Sequence, residues 1–198
     1  MTPVRSLVAH ACLGILLHLD EKVTRDSLTK FPLTEYTAGY WFVHARFEGV
    51  SENADEGMKR LFGKRKPQFS IWLWICDPTV PFWRRGKLAE RPRPPRGTAL
   101  HFAAFCGLHE VVSVLVIEHS ENVNSRSFEH ESTPLHLASK EGRIEVVRFL
   151  VEHDADAATK DKHGWTPLHR ASSSGDLDLA IIFMTMSVMA AQIRGTFV

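Results

Sequence analysis

Three histidines recur along the C-terminal half of the chain at nearly constant spacing, and imidazole is the commonest metal ligand in proteins. His101, His136 and His169 lie 35 and 33 residues apart. A zinc ion holds imidazole nitrogens about 2.1 Å away, whereas packed helices lie about 8 to 10 Å apart. If each histidine lies on its own helix of a stack, one ion cannot bind all three. We therefore predict no metal site from these histidines.

Two other groupings resemble catalytic chemistry. Cys106 and His109 are close enough in sequence for a thiol nucleophile with its base, but no third group is placed to orient the base. Asp154 and Asp156 resemble a carboxylate pair, yet they lie in a polar stretch typical of a turn. The chain also lacks the GxSxG, HExxH and glycine-rich phosphate-loop motifs. We predict no catalytic residue, no cofactor and no small-molecule substrate.

The charge of the chain is unevenly distributed. The net charge of +1 is the sum of about −3 over residues 1–58, +9 over 59–96 and −5 over 97–198. Hydrophobic residues make up 44% of the 198 residues, which is enough for a folded core. Three cysteines with unrelated spacings fit neither a disulfide framework nor a metal knuckle, so we expect an intracellular, cytoplasmic protein.

Three stretches of the chain superimpose on one another. They are GTALHFAAFCGLHEVVSVLV from Gly97, STPLHLASKEGRIEVVRFLV from Ser132, and WTPLHRASSSGDLDLAIIFM from Trp165. In each, a threonine able to cap a helix is followed by the recurring histidine and then by a glycine suited to end that helix. A second run with apolar residues at helical spacing comes next. Each unit is therefore predicted to be a helix, a turn and a second helix.

These units resemble the ankyrin repeat, whose T-P-L-H-x-A-A-x-x-G signature is nearly unchanged at 133–142 and 166–175. The resemblance implies a mainly α protein, an ankyrin-repeat solenoid with two full repeats plus a partial third, and an N-terminal helical domain. The repeats are placed at about 96–129, 131–163 and 164–191, within an ankyrin region of 96–198. It also implies a β-hairpin finger before each new repeat, and a structural hydrogen bond for the recurring histidine. No finger follows the third unit.

Ankyrin repeats bind proteins through a concave surface, so the resemblance implies a non-catalytic interaction module or scaffold. The variable positions of the first helices and fingers are then the candidate contacts. We expect Trp165→Ala and Arg170→Ala to weaken partner binding with little effect on the melting temperature. The candidate protein-binding residues are Phe102, Phe105, Lys140, Glu141, Arg170 and Ser173 on the helices, and Phe128, Lys162, His163 and Trp165 on the fingers.

The N-terminal residues 1–76 are predicted to form a helical domain. Apolar residues at helical spacing predict one helix over 4–19, with Leu7 and Ile15 in its buried stripe, and a second over about 33–47. The run FSIWLWICD at 69–77 fits either a helix or a strand. On the second helix the predicted buried face consists of Leu33, Tyr36, Tyr40, Val43 and Phe47.

Residues 77–95 are predicted to be a linker rich in proline and arginine. The stretches AHACLGILLHLD, FPLTEYTAGYWFVHARFEGVS and EGMKRLF resemble the helical segment that precedes the ankyrin array in fungal NACHT-type signalling NTPases. That resemblance implies a signalling-type multidomain architecture. The phosphate-loop motif GxxxxGK[ST] is absent from this sequence.

Three alternatives remain open at this stage. The chain could be a truncated remnant of a NACHT-type NTPase without activity of its own. Its basic residues 59–96 could contact nucleic acid or an anionic membrane, although we favour the interpretation that they form a solvated linker complementing the acidic array. We expect a monomer with a protein partner whose identity the sequence does not encode.

Overall fold

The computed structural model describes residues 2–20, 22–24, 26, 28, 33–45, 52–63, 67–79, 95–127, 129–175 and 177–185. These residues form helices and turns, with no strand among them. The prediction of a mainly α fold is confirmed. The helices are α1 (Thr2–His18), α2 (Leu33–Ala45), α3 (Glu52–Leu61), α4 (Pro67–Ile75), α5 (Ala99–Cys106), α6 (His109–Ile117), α7 (Pro134–Lys140), α8 (Ile144–Glu152), α9 (Pro167–Ser174) and α10 (177–185).

Helices α1 to α4 share a core built around two tryptophans. Trp41 and Trp72 are fully buried, and their rings meet edge to face with centroids 5.5 Å apart. The indole Nε1–H of Trp72 donates a hydrogen bond to the carbonyl of Ala38 at 2.8 Å. Helix α4 resolves the helix-or-strand alternative for the run after Pro67. It is apolar on all sides and buried from Ile71 to Ile75, as expected of a core helix.

The buried stripe of α1 differs from the predicted one by a rotation of the helix. Leu7 and Ile15 are 69% and 38% exposed, although both were predicted to be buried. The stripe that faces the core keeps the helical spacing but is shifted around the helix. Because α1 is apolar over much of its circumference, spacing alone did not select the face. The buried residues are Ala9, Cys12, Leu13 and Leu16.

The predicted face of α2 is wrong. Leu33, Tyr36 and Tyr40 are 64%, 45% and 53% exposed, and Phe47 lies outside the described residues. The opposite face carries small side chains that let α2 approach α1 closely, and it places Trp41 in the core. Close packing therefore outweighed the larger apolar area of the two tyrosines. The buried residues of α2 are Thr34, Thr37, Ala38, Trp41 and Ala45.

The three predicted repeat units are the helix pairs α5–α6, α7–α8 and α9–α10. Pro134 and Pro167 occupy the first turn of α7 and α9, where a missing N–H has no intrahelical partner. Gly107 and Gly175 end α5 and α9 with φ of 75° and 76°, a conformation that disfavours other residues. The first helices of successive units pack against each other, which is the stacking expected of a solenoid.

The N-terminal helices pack directly on the first repeat. Phe69 and Trp72 of α4 contact the ring of Phe102 of α5, with centroids 5.7 and 6.5 Å apart. Helix α3 also packs on α6, so the buried residues of both halves form one continuous cluster. The division at 1–76, 77–95 and 96–198 stays a prediction, since most of the linker lies outside the described residues.

Within the described ranges, no helix combines the length and the apolar character needed to cross a bilayer.

Candidate protein-interaction surface

Two of the recurring histidines, His101 and His136, connect their repeat to the next one. The backbone N–H of Thr98 donates to Nδ1 of His101 at 3.1 Å, and Nε2 of His101 lies 3.0 Å from the carbonyl oxygen of Ser132. A carbonyl only accepts, so Nε2 carries the proton and Nδ1 accepts, which fixes one neutral tautomer. His136 repeats the arrangement with Thr133 at 3.2 Å and the carbonyl of Trp165 at 2.9 Å.

Burial holds the first two of these histidines in their neutral form. The side chains of His101 and His136 are each 1% exposed. Desolvation lowers the pKa of His101 to about 4, against an opposing effect of the hydrogen bond to Ser132. Desolvation likewise lowers the pKa of His136. Both rings are therefore uncharged at neutral pH and act as hydrogen-bonding links.

The hairpin turns that precede each new repeat are the fingers, here residues 119–131 and 153–165. Their described residues form turns and no strand, so the predicted β-hairpins are replaced by turns closed by a few backbone hydrogen bonds, such as the one from the Ser127 N–H to the Ser132 carbonyl at 2.9 Å. In the second finger, the N–H of Asp161 donates to the carbonyl of Trp165 at 2.9 Å. The two fingers are joined to each other because Lys162 donates from its backbone N to the carbonyl of His130 at 3.1 Å and from Nζ to that of Glu129 at 2.6 Å.

Arg170 is held by a buried carboxylate. Its guanidinium donates from Nε and Nη2 to Oδ2 of Asp161, with the Nε distance 3.0 Å. Oδ1 of Asp161 accepts from the backbone N–H groups of His163 and Trp165 at 2.9 and 3.1 Å. Burial alone would raise the pKa of Asp161, but these hydrogen bonds and the charge of Arg170 outweigh it and lower the pKa. Arg170 therefore stabilises the second finger.

Trp165 lies over Arg170 at the surface. The guanidinium carbon is 4.9 Å from the centroid of the indole, which is a cation–π contact. The residue is 40% exposed, so part of the ring is open to a partner. The structure thus separates the two predicted contacts. Trp165 presents a free surface, whereas Arg170→Ala would leave Asp161 buried without its counter-charge. For Arg170 the structure therefore predicts a lowered melting temperature instead of an unchanged one.

Phe102 and Phe105 are not exposed contact residues. Phe102 is 2% exposed because Phe69 and Trp72 of α4 cover it, and Phe105 is 8% exposed. The sequence pattern of one repeat does not include these N-terminal helices. Their packing turned a variable surface position of α5 into core.

The remaining predicted contacts differ in accessibility. Lys140 is exposed, with its ammonium 5.9 Å above the ring of Phe105, while Glu141 is partly buried beside Lys140 at 3.7 Å. Lys162, His163 and Ser173 are exposed, and Phe128 lies outside the described residues. The exposed members therefore lie on the second finger, at the end of α7 and, for Ser173, on α9.

A groove of about 120 Å³ lies between the first finger and helices α5 and α7. Phe105 and Leu137 provide apolar surface, and Lys140 and the ion pair of Arg96 with Glu129 (2.7 Å) provide charge. Sequence reasoning missed this groove because it joins residues from two repeats and from the segment before the first one. Its lining residues are Thr79, Arg96, Gly97, His101, Phe102, Phe105, Ser127, Glu129, His130, Ser132, Leu137 and Lys140.

Asp161 was also missed as a structural centre of the second finger. A signal was available, because an aspartate shortly before a glycine is typical of a turn in which its side chain accepts backbone hydrogen bonds. Gly164 follows three residues later with φ of 77°.

The residues considered above for catalysis make contacts that differ from those of a catalytic pair. Cys106 is fully buried, and Nδ1 of His109 lies 3.3 Å from Oε1 of Glu110. The carboxylate of Asp156 accepts from Ala158 N and Thr159 Oγ1, both at 2.8 Å, so it closes a turn. Across the described part of the chain, no group of three or more histidine, cysteine, aspartate or glutamate residues is arranged to hold a metal ion.

Comparison with known proteins supports the repeat assignment. Residues 100–190 match a family model described as ankyrin repeats (3 copies). Human ankyrin repeat and SOCS box protein 6 is 43% identical over 68 residues, which are 34% of this chain and 16% of that protein. Alpha-latrocrustotoxin-Lt1a of Latrodectus tredecimguttatus is 39% identical over 61 residues, which are 31% of this chain and 4% of the toxin.

A third relative carries an enzyme name. Palmitoyltransferase AKR1 of Lachancea kluyveri is 35% identical over 70 residues, which are 35% of this chain and 9% of that protein. The chain thus spans less than a fifth of the length of each of these relatives. The sequence of residues 100–190 thus matches ankyrin repeats, and the described residues within it form stacked helix pairs with capping threonines and histidine links, as in a mainly helical solenoid.

Proposed function

We propose that the chain is a non-catalytic protein-interaction module that binds its partner on the concave side of the repeats. Ankyrin repeats generally mediate protein–protein interaction, and a repeat array presents an extended surface for it. The observation that supports the concave side here is the concentration of exposed predicted contacts on the fingers and around the groove. Trp165, Lys140, Lys162 and His163 all lie in this region.

The exposed side chains are of the kinds that bind the surface of another protein. Trp165 offers an aromatic surface beside a guanidinium, the combination found at binding hot spots. The groove is well below the roughly 300 to 1,000 Å³ of small-molecule sites. It has room for one side chain of a partner.

Photo-crosslinking tests this proposal directly. The amino acid p-benzoyl-phenylalanine replaces His163 on the concave side in one variant and Arg148, exposed on α8, in a matched control. We expect a protein adduct in cells from position 163 and little from position 148. Equal adducts from both positions, or adducts from position 148 alone, would contradict the concave assignment.

The wider setting is proposed on the resemblance alone. A signalling-type architecture of the NACHT class, an intracellular and cytoplasmic location, and a monomeric state all remain proposals. Because the phosphate-loop motif is absent from this sequence, we expect the purified chain to have no ATPase activity. The monomeric state predicts the mass of a single chain in light scattering. Contact of residues 59–96 with nucleic acid or an anionic membrane stays a weaker alternative, because the charge of about +9 on this segment can be balanced by the −5 of residues 97–198.

A further inference from the structure

The groove beside the first finger has the size and lining of a pocket for one apolar side chain. Its volume is about 120 Å³, and Phe105 and Leu137 contribute apolar surface from two successive repeats. Phe105 is buried, with 8% of its surface exposed, and the ammonium of Lys140 lies 5.9 Å from the centroid of its ring. Because this packing holds the ring in place, the pocket is preformed. A preformed pocket of this kind suits a single anchoring residue of a partner.

Cations outnumber carboxylates along the rim of this groove. Arg96 is balanced by Glu129 at 2.7 Å. The ammonium of Lys162 donates to the carbonyl of Glu129 and has no ion pair within the described residues. Glu141 lies 3.7 Å from Lys140 and 3.8 Å from Arg143. Among the groove-lining residues themselves there are two cations, Arg96 and Lys140, and one carboxylate, Glu129. Lys162, hydrogen-bonded to the Glu129 carbonyl, adds a third cation beside them.

This local charge is opposite to that of the array as a whole. Residues 97–198 carry about −5, so an acidic segment is repelled by most of the array and attracted at the groove. Such a field favours an acidic ligand at the groove over the rest of residues 97–198. Nucleic acid is a poorer match, because its affinity depends on many phosphate contacts and the surplus here is two charges.

We propose that the groove binds a short acidic segment of a partner protein, with one apolar side chain inserted between Phe105 and Leu137 and flanking carboxylates near Lys140 and Lys162. This proposal rests on the interaction function proposed above and adds the chemistry of the partner.

Peptide display on the full chain tests the chemistry of the ligand. We expect selection from a library of random 12-residue peptides to enrich a single leucine, isoleucine or phenylalanine flanked by aspartate and glutamate. A basic consensus, a consensus without an apolar residue, or no enrichment would overturn the proposal.

Fluorescence anisotropy with the selected peptide then tests the position. Lys140→Glu and Lys162→Glu should each weaken binding about tenfold, and replacement of the apolar residue of the peptide by serine should do the same or more. Arg148→Glu, a charge reversal of an exposed residue on α8, should change the affinity less than about twofold. Matching thermal melts confirm that the variants are folded.

Two further outcomes separate the explanations. If Lys140→Glu has no more effect than Arg148→Glu, the groove proposal fails, while crosslinking from position 163 can still support the interaction function. Tighter binding of a 12-nucleotide oligothymidylate than of the peptide, lost in the same two lysine variants, would assign the site to nucleic acid and overturn the proposal.

Discussion

The two ends of the repeat array differ in how their helices are covered. At the N-terminal end, Phe69 and Trp72 of α4 bury the first repeat through Phe102. On α10, at the other end, Leu177, Ile181 and Met184 are 77%, 57% and 60% exposed. Apolar side chains of the repeat unit are therefore buried in the first copy, under α4, and exposed in the third copy, on α10.

The histidines show the same difference on a smaller scale. His101 and His136 are 1% exposed and use both ring nitrogens, whereas His169 is exposed, with its Nδ1 accepting from the Thr166 N–H at 3.3 Å. A repeat residue gains its energy from the unit that follows it, as nearest-neighbour coupling in solenoids requires. Equal sequence motifs therefore need not contribute equally to stability.

The largest expected effect is at the covered end. Trp72→Ala removes a fully buried ring and its hydrogen bond to Ala38, so we expect a loss of about 3 to 5 kcal/mol in the free energy of unfolding. Because the core is continuous, urea unfolding followed by circular dichroism and by tryptophan fluorescence should remain one coincident transition. Tyr40→Ala, at a 53% exposed position, is the control and should cost less than about 1 kcal/mol. Two separate transitions would show that the halves unfold independently.

The next largest effect is a pH dependence of the free energy of unfolding that is caused by the buried histidine His101. The pKa of His101 is about 4 in the folded protein and 6.5 as the reference value, so the unfolded chain binds a proton first as the pH falls. Its contribution is fully present above pH 6.5 and is lost down to about pH 4, by roughly 3 kcal/mol. Unfolding free energies measured by urea titration between pH 7 and pH 4.5 should fall less steeply in His101→Gln. An identical slope in both proteins would remove His101 as the cause.

A smaller loss is expected where the second finger meets α9. Arg170→Ala leaves the buried Asp161 carboxylate without its guanidinium partner, although two backbone hydrogen bonds remain. We expect destabilisation by about 2 to 3 kcal/mol. Asp161→Asn combined with Arg170→Ala should recover part of it in chemical denaturation. A melting temperature equal to that of the unmodified chain would mean that Arg170 is a free contact residue after all.

The smallest effect compares two histidines of identical motif. His136→Ala removes links on both ring nitrogens of a buried side chain and should cost about 2 kcal/mol. His169→Ala removes an exposed local contact and should cost about 0.5 kcal/mol. Thermal melts of both variants measure the difference. Equal losses would indicate that His169 is covered as fully as His136.

Much of the repeat region could be predicted from the sequence because its signals are local. A threonine cap, a proline in the first turn and a left-handed glycine each act within one turn of helix, so they placed α7 and α9 correctly. The face of α2 could not be predicted in this way. Tyr36 and Tyr40 have more apolar area than Thr34 and Thr37, yet the small residues face the core because they allow close approach.

The residues of the candidate site also differ in whether local sequence was enough to predict their surroundings. Residue type and repeat position correctly indicated Lys140, Lys162 and Trp165 as exposed groups near the fingers. The burial of Phe102 under α4 and the pairing of Arg170 with Asp161 were not predictable from one repeat. Both contacts join residues that lie far apart in sequence or on different elements.

The sequence by itself determined the type of the repeat unit, the threonine at which its first helix begins and the histidine that links neighbouring units, because these depend on backbone geometry and capping over a few residues. The tertiary structure decided which copies of that unit are buried, which arginine is a structural partner, and where apolar surface and cations meet in one groove. Burial and charge pairing depend on the elements that pack together in space, and the spacing of residues along one helix does not contain that information.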